Sequence, residues 1–131
     1  MAENVIVDTS AFIEYFLGTS KGSEVKKVLA DDAKVILVPS IVLCELASKL
    51  DRSGLSSRID IISELSAFHL AENLNFDLCL RAGRIHSNLR KVEKHISLAD
   101  CILIAIGEHY GNALILTTDT HFKHYKNSKI L

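Results

Sequence analysis

Four acidic side chains occupy positions where the neighbouring residues are apolar: Asp8, Glu45, Asp100 and Asp119. Asp8 and Asp119 each follow a short apolar run that is typical of a buried strand. In open parallel sheets, the carboxyl ends of the strands form the edge where ligands bind. Glu45 is the only polar residue in the segment IVLCELA, and Asp100 precedes the apolar segment CILIAI. Because acids are rarely buried without a partner, this pattern indicates a functional cluster.

Each acid also has a purely structural interpretation. Asp8 and Asp119 could be turn or cap residues. Ser97 and Asp100 fit a capping box at the start of a helix. Glu45 could form a buried ion pair or lie at a solvent-facing edge of its helix. These explanations are independent of one another, whereas a single divalent-metal site accounts for all four acids.

A metal site is favoured because converging carboxylates repel one another. Two carboxylates about 4 Å apart repel by roughly 4 kcal/mol at an effective dielectric near 20, so the cluster needs protons or cations. Hard oxygen ligands favour Mg²⁺ or Mn²⁺ over Zn²⁺, and substrate phosphate commonly completes the coordination of Mg²⁺. The acids therefore predict phosphoryl chemistry, and the sequence leaves open whether one or two cations bind.

The elements that position these acids are short apolar strands alternating with helices. Strands are predicted over residues 4–7, 35–38 and 113–116, with an edge strand over 129–131. Helices are predicted over 11–17, 21–30, 41–51, 56–67 and 74–92, and from Ser97 to near Gly111. This alternation predicts an α/β fold in which a central, mostly parallel sheet is flanked by helices in three layers.

The composition excludes several classes of protein. A chain of 131 residues that is 48% hydrophobic predicts one domain over residues 1–131. With 15 basic and 16 acidic residues it is no polycation, so any surface for nucleic acid must be local. The three cysteines lie in apolar stretches without a CxxC motif, which argues against a disulfide framework or structural zinc. No apolar run reaches the roughly 18 residues of a membrane span, so we expect a cytoplasmic protein in a reducing compartment.

Several motifs in fixed order resemble the PIN-domain ribonucleases. These are VIVDTSAFIEYF near the start, Glu45 in the helix after the second strand, SLADCILIA, and LILTTDTHF. The resemblance runs from Val5 to Phe122 and is greatest to the VapC toxins of type II toxin–antitoxin systems. It implies a Rossmann-like parallel sheet and an endoribonuclease that depends on Mg²⁺ or Mn²⁺ and hydrolyses RNA phosphodiester bonds with a metal-activated water.

The resemblance also implies roles for individual residues. Asp8, Glu45 and Asp100 match the main metal-binding acids of the family, and Asp119 matches the acid that helps to hold the metal. Ser10 and Thr117 match its small hydroxyl positions, where each could hydrogen-bond a carboxylate or a metal-bound water.

The turn after the last apolar run leaves two details open. Thr118 could take the part of Thr117 if the turn differs by one residue. Thr120 departs from relatives that carry a basic or larger polar residue there, which leaves substrate contacts at this position open.

Basic residues could form a track for RNA on the helix predicted over 74–92. Arg81, Arg84, Asn88 and Lys91 recur at intervals of three and four, about 100° around the helix from its apolar side. We call Arg81, Arg84 and Lys91 the basic stripe; the alternative is an ordinary solvated face. A second basic group could approach phosphate or be ordinary surface: His121, Lys123, His124 and Lys126.

The resemblance implies two protein partners, a small VapB-like antitoxin and a second copy of the chain in a homodimer. An inserted Arg or Lys of the antitoxin could pair with the acids and displace metal. The first helix carries more large apolar residues than one buried face needs, so with the next helix it could form a groove for the antitoxin. These residues are Phe12, Tyr15, Phe16 and Leu17.

Other functions are compatible with parts of the sequence. Within the nuclease class, the alternative is a housekeeping PIN nuclease of RNA maturation. A non-catalytic PIN-like interaction module is a second alternative, against which the intact set of acids argues. A DNA-binding helix-turn-helix over residues 41–67 is a third, but its recognition helix would carry only Arg58 as a base. Receiver and phosphatase folds leave Glu45 unexplained.

Overall fold

A computed structural model describes residues 2–64, 68–70 and 74–131 of the chain. Five strands are present in this part: β1 (Glu3–Val7), β2 (Lys34–Val38), β3 (Phe68–Leu70), β4 (Leu114–Thr117) and β5 (Ser128–Ile130). The α-helices are α1 (Thr9–Leu17), α2 (Ser20–Leu29), α3 (Ser40–Arg52), α4 (Asp60–Glu64), α5 (Phe76–Leu89) and α6 (Leu98–His109). Two short 3₁₀ helices span Ser56–Ile59 and Thr120–His124.

The strands form one parallel sheet in the order β3-β2-β1-β4-β5. The central strand β1 pairs with β2 on one side and with β4 on the other, where Val7 aligns with Leu116. Val5, Ile6 and Val7 have no exposed surface, so helices cover both faces of the sheet at its centre. The predicted parallel sheet is confirmed.

The helices pack in two groups around this sheet. Helix α1 packs against α2 and α3, whereas α5 packs against α6. Gly22 allows the close approach of α2 to α1, because a Cβ atom there would lie 2.1 Å from the carbonyl oxygen of Glu14. Sheet and helices together form the three-layer α/β architecture that the sequence predicts.

Helix α5 is shorter than the predicted helix over residues 74–92. Asn75 caps its start by accepting a hydrogen bond from the backbone N–H of Leu78 at 2.9 Å. Leu78 and Ala82 are buried against α6, but Leu74 and Val92 lie outside the helix and are 43% and 69% exposed. The apolar periodicity therefore extends beyond the residues that packing holds in a helix.

The prediction of one helix over residues 56–67 is confirmed in part, because the described residues 56–64 are helical but do not form one continuous α-helix. This segment begins as a 3₁₀ helix and continues as the five-residue α4, while residues 65–67 lie outside the described part of the chain. Arg58 donates a hydrogen bond from Nη1 to the carbonyl oxygen of Phe16 at 2.9 Å. This hydrogen bond ties the one base of the predicted recognition helix to α1, which argues against a DNA-binding helix-turn-helix.

The three cysteines differ in exposure. Cys44 and Cys79 are exposed, Cys101 is buried, and all three are free thiols. Burial raises the pKa of the Cys101 thiol to about 11.

Within residues 2–64, 68–70 and 74–131, no helix has the length and apolar character needed to cross a bilayer.

Candidate metal centre

The strand order places the candidate site at the carboxyl ends of β1 and β4. Connections leave these neighbouring strands toward opposite edges of the sheet, which makes a crevice of the kind that binds ligands in open α/β folds. Asp8 directly follows β1, and its backbone N–H donates to the carbonyl oxygen of Leu116 at 2.9 Å. Thr117 ends β4 beside it. The main-chain pairing of the two strands therefore continues into the site.

Asp8 is nearly buried, with 7% of its surface exposed, and its carboxylate accepts three hydrogen bonds. Oδ1 accepts from the backbone N–H of Thr9 at 2.8 Å, which makes Asp8 the N-cap of α1. Oδ2 accepts from the hydroxyls of Ser10 at 3.0 Å and Thr117 at 2.8 Å. Asp8 is thus a cap residue and at the same time a carboxylate fixed at the strand ends.

The two hydroxyls also bind the turn that carries Asp119. Ser10 Oγ accepts from the backbone N–H of Thr118, and Thr117 Oγ1 accepts from that of Asp119, each at 3.0 Å. Because each hydroxyl spends its one proton on Asp8, it has lone pairs free for these N–H groups. The hydrogen-bonding task predicted for Ser10 and Thr117 is present in the structure, and Thr118 takes part through its backbone instead of its side chain.

Asp100 and Asp119 approach each other together with His121. Among the described residues, these three bring potential metal-ligand atoms within 4.8 Å of one another. Asp100 stands in the first turn of α6 in a complete capping box with Ser97, whose Oγ accepts from the Asp100 N–H at 3.0 Å. Asp119 Oδ1 accepts from the His121 backbone N–H at 2.8 Å and caps the 3₁₀ helix. The capping box that the sequence indicated is therefore confirmed.

Glu45 lies half-buried on α3 and reaches the site through Thr9. Thr9 Oγ1 donates to Glu45 Oε1 at 3.4 Å, and the backbone N–H of the same Thr9 binds Asp8. The part of α3 around Glu45 is less buried than the sequence predicts, because the neighbouring residues Cys44 and Ala47 are exposed. Glu45 is thus adjacent to the Asp8 turn and outside the group of three close ligands.

Burial and the negative charges of neighbouring acids raise the pKa values of two site carboxylates. Burial raises the pKa of Asp8, with a smaller contribution from the negative charge of Asp119 and opposed by its three hydrogen bonds. Burial and the charges of Asp119 and Asp8 raise the pKa of Asp100, against the hydrogen bonds from Ser97. Asp8, Asp100 and Asp119 therefore form one negative site whose ionised state a cation would stabilise.

Glu93, between α5 and α6, holds the segment that follows Asp119. Its Oε2 lies 2.9 Å from His124 Nε2 and 3.6 Å from Lys123 Nζ, and its Oε1 lies 3.7 Å from His121 Nε2. These contacts, led by the hydrogen bond from His124, lower the pKa of Glu93. The basic group that the sequence offered as a phosphate contact is therefore largely paired with an acid that sequence reasoning did not consider.

The basic stripe lies on α5 and in the turn after it. Arg81 Nε donates to Glu108 Oε2 of α6 at 2.8 Å, so part of its charge is already neutralised. Arg84 and Lys91 are exposed. Arg81 is itself 56% exposed, so all three basic groups are open to solvent on this surface.

The donor set fits a divalent cation of the Mg²⁺ or Mn²⁺ type. Asp100 and Asp119 supply carboxylate oxygens, and their side chains are 16% and 33% exposed, which leaves room for water and substrate. Asp8 adds a third carboxylate, whose Oδ1 accepts only one of its three hydrogen bonds. Such a set of hard oxygen donors suits Mg²⁺ and Mn²⁺.

The raised acid pKa values predict how the stability of the metal-free protein depends on pH. Because the pKa of Asp8 and of Asp100 is higher in the folded state, the folded protein binds more protons than the unfolded chain. Their contribution to the free energy of unfolding therefore decreases as pH rises from about the ordinary value of 3.8 through the raised values. In chelator, the free energy of unfolding measured with urea should decrease less over this pH range for Asp100→Asn than for the wild type. The variant lacks the ionisable group of Asp100 but keeps a capping oxygen. An equal pH dependence in both proteins would contradict this prediction.

Comparison with known proteins identifies a family model and curated relatives that match most of the chain. The PIN domain family model matches residues 5–127. VapC ribonuclease Mb1587 of Mycobacterium bovis and ribonuclease VapC11 of Mycobacterium tuberculosis are each 26% identical over 121 residues, covering 90% of this chain and 88% of theirs.

Solved structures share the fold at lower identity. The crystal structure of Mycobacterium tuberculosis VapC20, a toxin that cleaves the sarcin–ricin loop, has a TM-score of 0.73 at 20% identity and covers 94% of this chain and 95% of its own. A toxin–antitoxin complex from Klebsiella pneumoniae has a TM-score of 0.74 at 16% identity and covers 95% of each chain. With nearly its whole length matched by the family model, the chain belongs to the PIN domain family, and its relatives include VapC ribonucleases.

Proposed function

We propose that the protein is an Mg²⁺- or Mn²⁺-dependent endoribonuclease that serves as the toxin of a type II toxin–antitoxin system. The observation that carries this proposal is the position of three acids in a PIN domain chain: Asp8 and Asp119 follow the neighbouring strands β1 and β4, and Asp100 at the start of α6 lies close to Asp119. Relatives named as VapC ribonucleases cover most of the chain, and neighbouring structures include toxin–antitoxin complexes. These similarities support both the reaction and the toxin role.

The acids would hold the cation, and the rest of the site would hold the acids. Asp100 and Asp119 present their oxygens from the α6 start and the β4 turn, while Asp8 and the adjacent Glu45 complete the proposed metal set. A bound divalent cation would lower the pKa of a water molecule and neutralise charge developing on the RNA phosphate. Ser10 and Thr117 orient Asp8 by hydrogen bonds that leave its other lone pairs available.

The site needs no protein nucleophile in this proposal. The hydroxyls of Ser10 and Thr117 donate to Asp8 and accept backbone N–H groups, so their hydrogen-bonding capacity serves the architecture of the site. The carboxylates of Asp100 and Asp119 are partly exposed, so a phosphodiester could reach them from solvent. Water attack on phosphate, assisted by carboxylate-bound cations, is the chemistry that this arrangement supports.

We expect RNA cleavage by the purified, partner-free protein to require Mg²⁺ or Mn²⁺ and to stop in excess chelator. Asp100→Asn should reduce cleavage by at least about 100-fold, since it removes a metal-holding charge but keeps the acceptor of the capping box. The measurement is the cleavage rate of a labelled RNA at several metal concentrations.

A matched control separates the site from contamination and misfolding. Asp77→Asn changes an exposed acid in the first turn of α5 and should cleave like the wild type. Thermal unfolding of both variants checks that each is folded. Full activity in chelator, or wild-type activity of folded Asp100→Asn, would refute the proposed reaction.

The basic stripe is the proposed track for the RNA backbone. Replacing Arg81, Arg84 and Lys91 by Gln should weaken RNA binding and reduce the salt dependence of the affinity, because fewer counterions are released. For single-stranded RNA each lost phosphate contact reduces the slope of log K against log salt by about 0.7. Binding is measured with the inactive Asp100→Asn protein across a salt series. The control variant replaces Lys21, Lys26 and Lys27 of α2 by Gln, which changes the charge by the same amount. Equal slopes of log K against log salt in the two triple variants would refute the track.

The proposed antitoxin site is the groove between the α1–α2 pair and the segment around Arg58. It measures about 390 Å³ and includes Tyr15, Phe16 and Ile61 among its lining residues. Phe12 has no exposed surface and does not line this groove, so the expectation that it helps to form the partner groove is corrected. Phe16 is 6% exposed and stacks on Phe12 with ring centroids 6.3 Å apart. Leu17, at 61% exposed, and the half-buried Tyr15 remain available at the surface. The proposal includes the homodimer that the family resemblance implies.

Co-expression with the small gene next to this one tests the toxin role. The chain alone should arrest growth, and the small protein should co-purify with it and suppress cleavage. Ser23→Arg places a large side chain in the groove and should weaken that complex at least about tenfold. Ser20→Arg, at an exposed position of the same helix away from the groove, should leave the complex unchanged. Size-exclusion chromatography of the same samples reports the dimer.

Two other outcomes would favour the alternative functions. If the chain does not arrest growth and no small protein co-purifies with it, but it cleaves RNA in a metal-dependent way, the housekeeping PIN nuclease is favoured. If it binds a partner independently of metal and does not cleave RNA, the interaction module is favoured.

A further inference from the structure

The imidazole of His121 lies among three carboxylates that come from three different segments. Nδ1 is 3.4 Å from Asp119 Oδ1 and 3.7 Å from Asp100 Oδ2. Nε2, on the opposite side of the ring, is 3.7 Å from Glu93 Oε1. One ring nitrogen thus faces the proposed metal acids, and the other faces an acid outside that set.

The backbone of His121 is held beside Asp119 independently of the ring contacts. The N–H of His121 donates to Asp119 Oδ1 at 2.8 Å, so the side chain two residues after the acid is held on the same side of the turn. Glu93 is itself held, because its second oxygen binds His124 at 2.9 Å. A carboxylate, a histidine ring and a metal in a row are a recurrent arrangement in metal sites, where the carboxylate orients the ring and makes it a stronger ligand.

We propose that His121 binds the divalent cation through Nδ1 beside Asp100 and Asp119, that Glu93 is the positioning residue for its ring, and that this ligand shifts the metal preference from Mg²⁺ toward Mn²⁺. The inference rests on the proposed metal-dependent function and adds a nitrogen donor to the four acids predicted from the sequence. Mg²⁺ is normally bound by oxygen ligands and water, whereas a first-row transition ion accepts imidazole more readily.

The distances suit shared coordination. Two adjacent ligands on an octahedral cation with bonds of about 2.1 Å lie about 3.0 Å apart. The contacts of Nδ1 with the two carboxylates exceed this by less than 1 Å, so modest side-chain movement brings the three donors onto one ion. The side chain of His121 is 26% exposed and not locked in the core, which permits that movement.

The competing explanation makes His121 a cationic partner of the acids that the metal must displace. The two explanations predict opposite effects of removing the ring. A ligand that is lost weakens metal binding, and it weakens Mn²⁺ binding more than Mg²⁺ binding. A competing cation that is lost strengthens the binding of both ions.

The test uses the intact wild-type chain, His121→Asn, Glu93→Gln and the control His95→Asn, an exposed histidine outside the cluster. Calorimetry measures Mn²⁺ and Mg²⁺ affinity, and electron spin echo modulation of bound Mn²⁺ detects a directly coordinated ¹⁴N nucleus. We expect ¹⁴N modulation in the wild type and the control and its loss in His121→Asn. Mn²⁺ affinity should fall at least about tenfold in His121→Asn and less in Glu93→Gln, with a smaller change for Mg²⁺.

Absence of ¹⁴N modulation in metal-bound wild-type protein overturns the inference whether or not any variant folds. Unchanged or higher Mn²⁺ affinity of folded His121→Asn overturns it as well. Both results leave the proposed metal-dependent nuclease intact, because the carboxylates still bind the ion. A wild-type chain that binds neither ion overturns the proposed function together with this inference.

Discussion

The hydrogen bonds that Ser10 and Thr117 donate to one oxygen of Asp8 join the two halves of the site. They connect the start of α1 to the end of β4, and the same hydroxyls accept the backbone N–H groups that shape the turn to Asp119. Without this junction, the negative charges on Asp8 and Asp119 would favour separation of the two strand ends. A buried carboxylate with three hydrogen bonds thus links the segments that carry the more exposed acids.

Three residues of the proposed metal site are also helix-capping residues. Asp8 caps α1, Asp100 completes a capping box on α6 and Asp119 caps a 3₁₀ helix. The structural and functional interpretations of these residues are therefore compatible, because a cap aims a carboxylate along a helix axis and toward the strand ends. Local backbone chemistry orients the acids, and the parallel sheet brings them to one edge.

The sequence was a good guide where one physical signal dominates. Continuous apolar runs predicted β1, β2 and β4, and isolated acids in apolar surroundings predicted the residues at the strand ends. β3 was not predicted, because a three-residue strand carries too little periodicity to stand out. The role of Glu93 was also beyond sequence reasoning, since its contacts with His121 and His124 depend on how the α5–α6 connection meets a distant turn. His121 follows Asp119 by two residues, and that spacing was the available signal for placing it beside the acids.

The position of the junction has a consequence for the folding pathway. Asp8 and Thr117 are separated by 109 residues, so the site requires a contact of very high sequence separation between β1 and β4. Loop closure of this length is entropically costly and tends to occur late in folding. Partly folded states with only β1 and β2 paired contain Asp8 but lack the turn that carries Asp119. The proposed cation, bound by acids from both segments, would therefore stabilise only the state in which β4 has paired with β1.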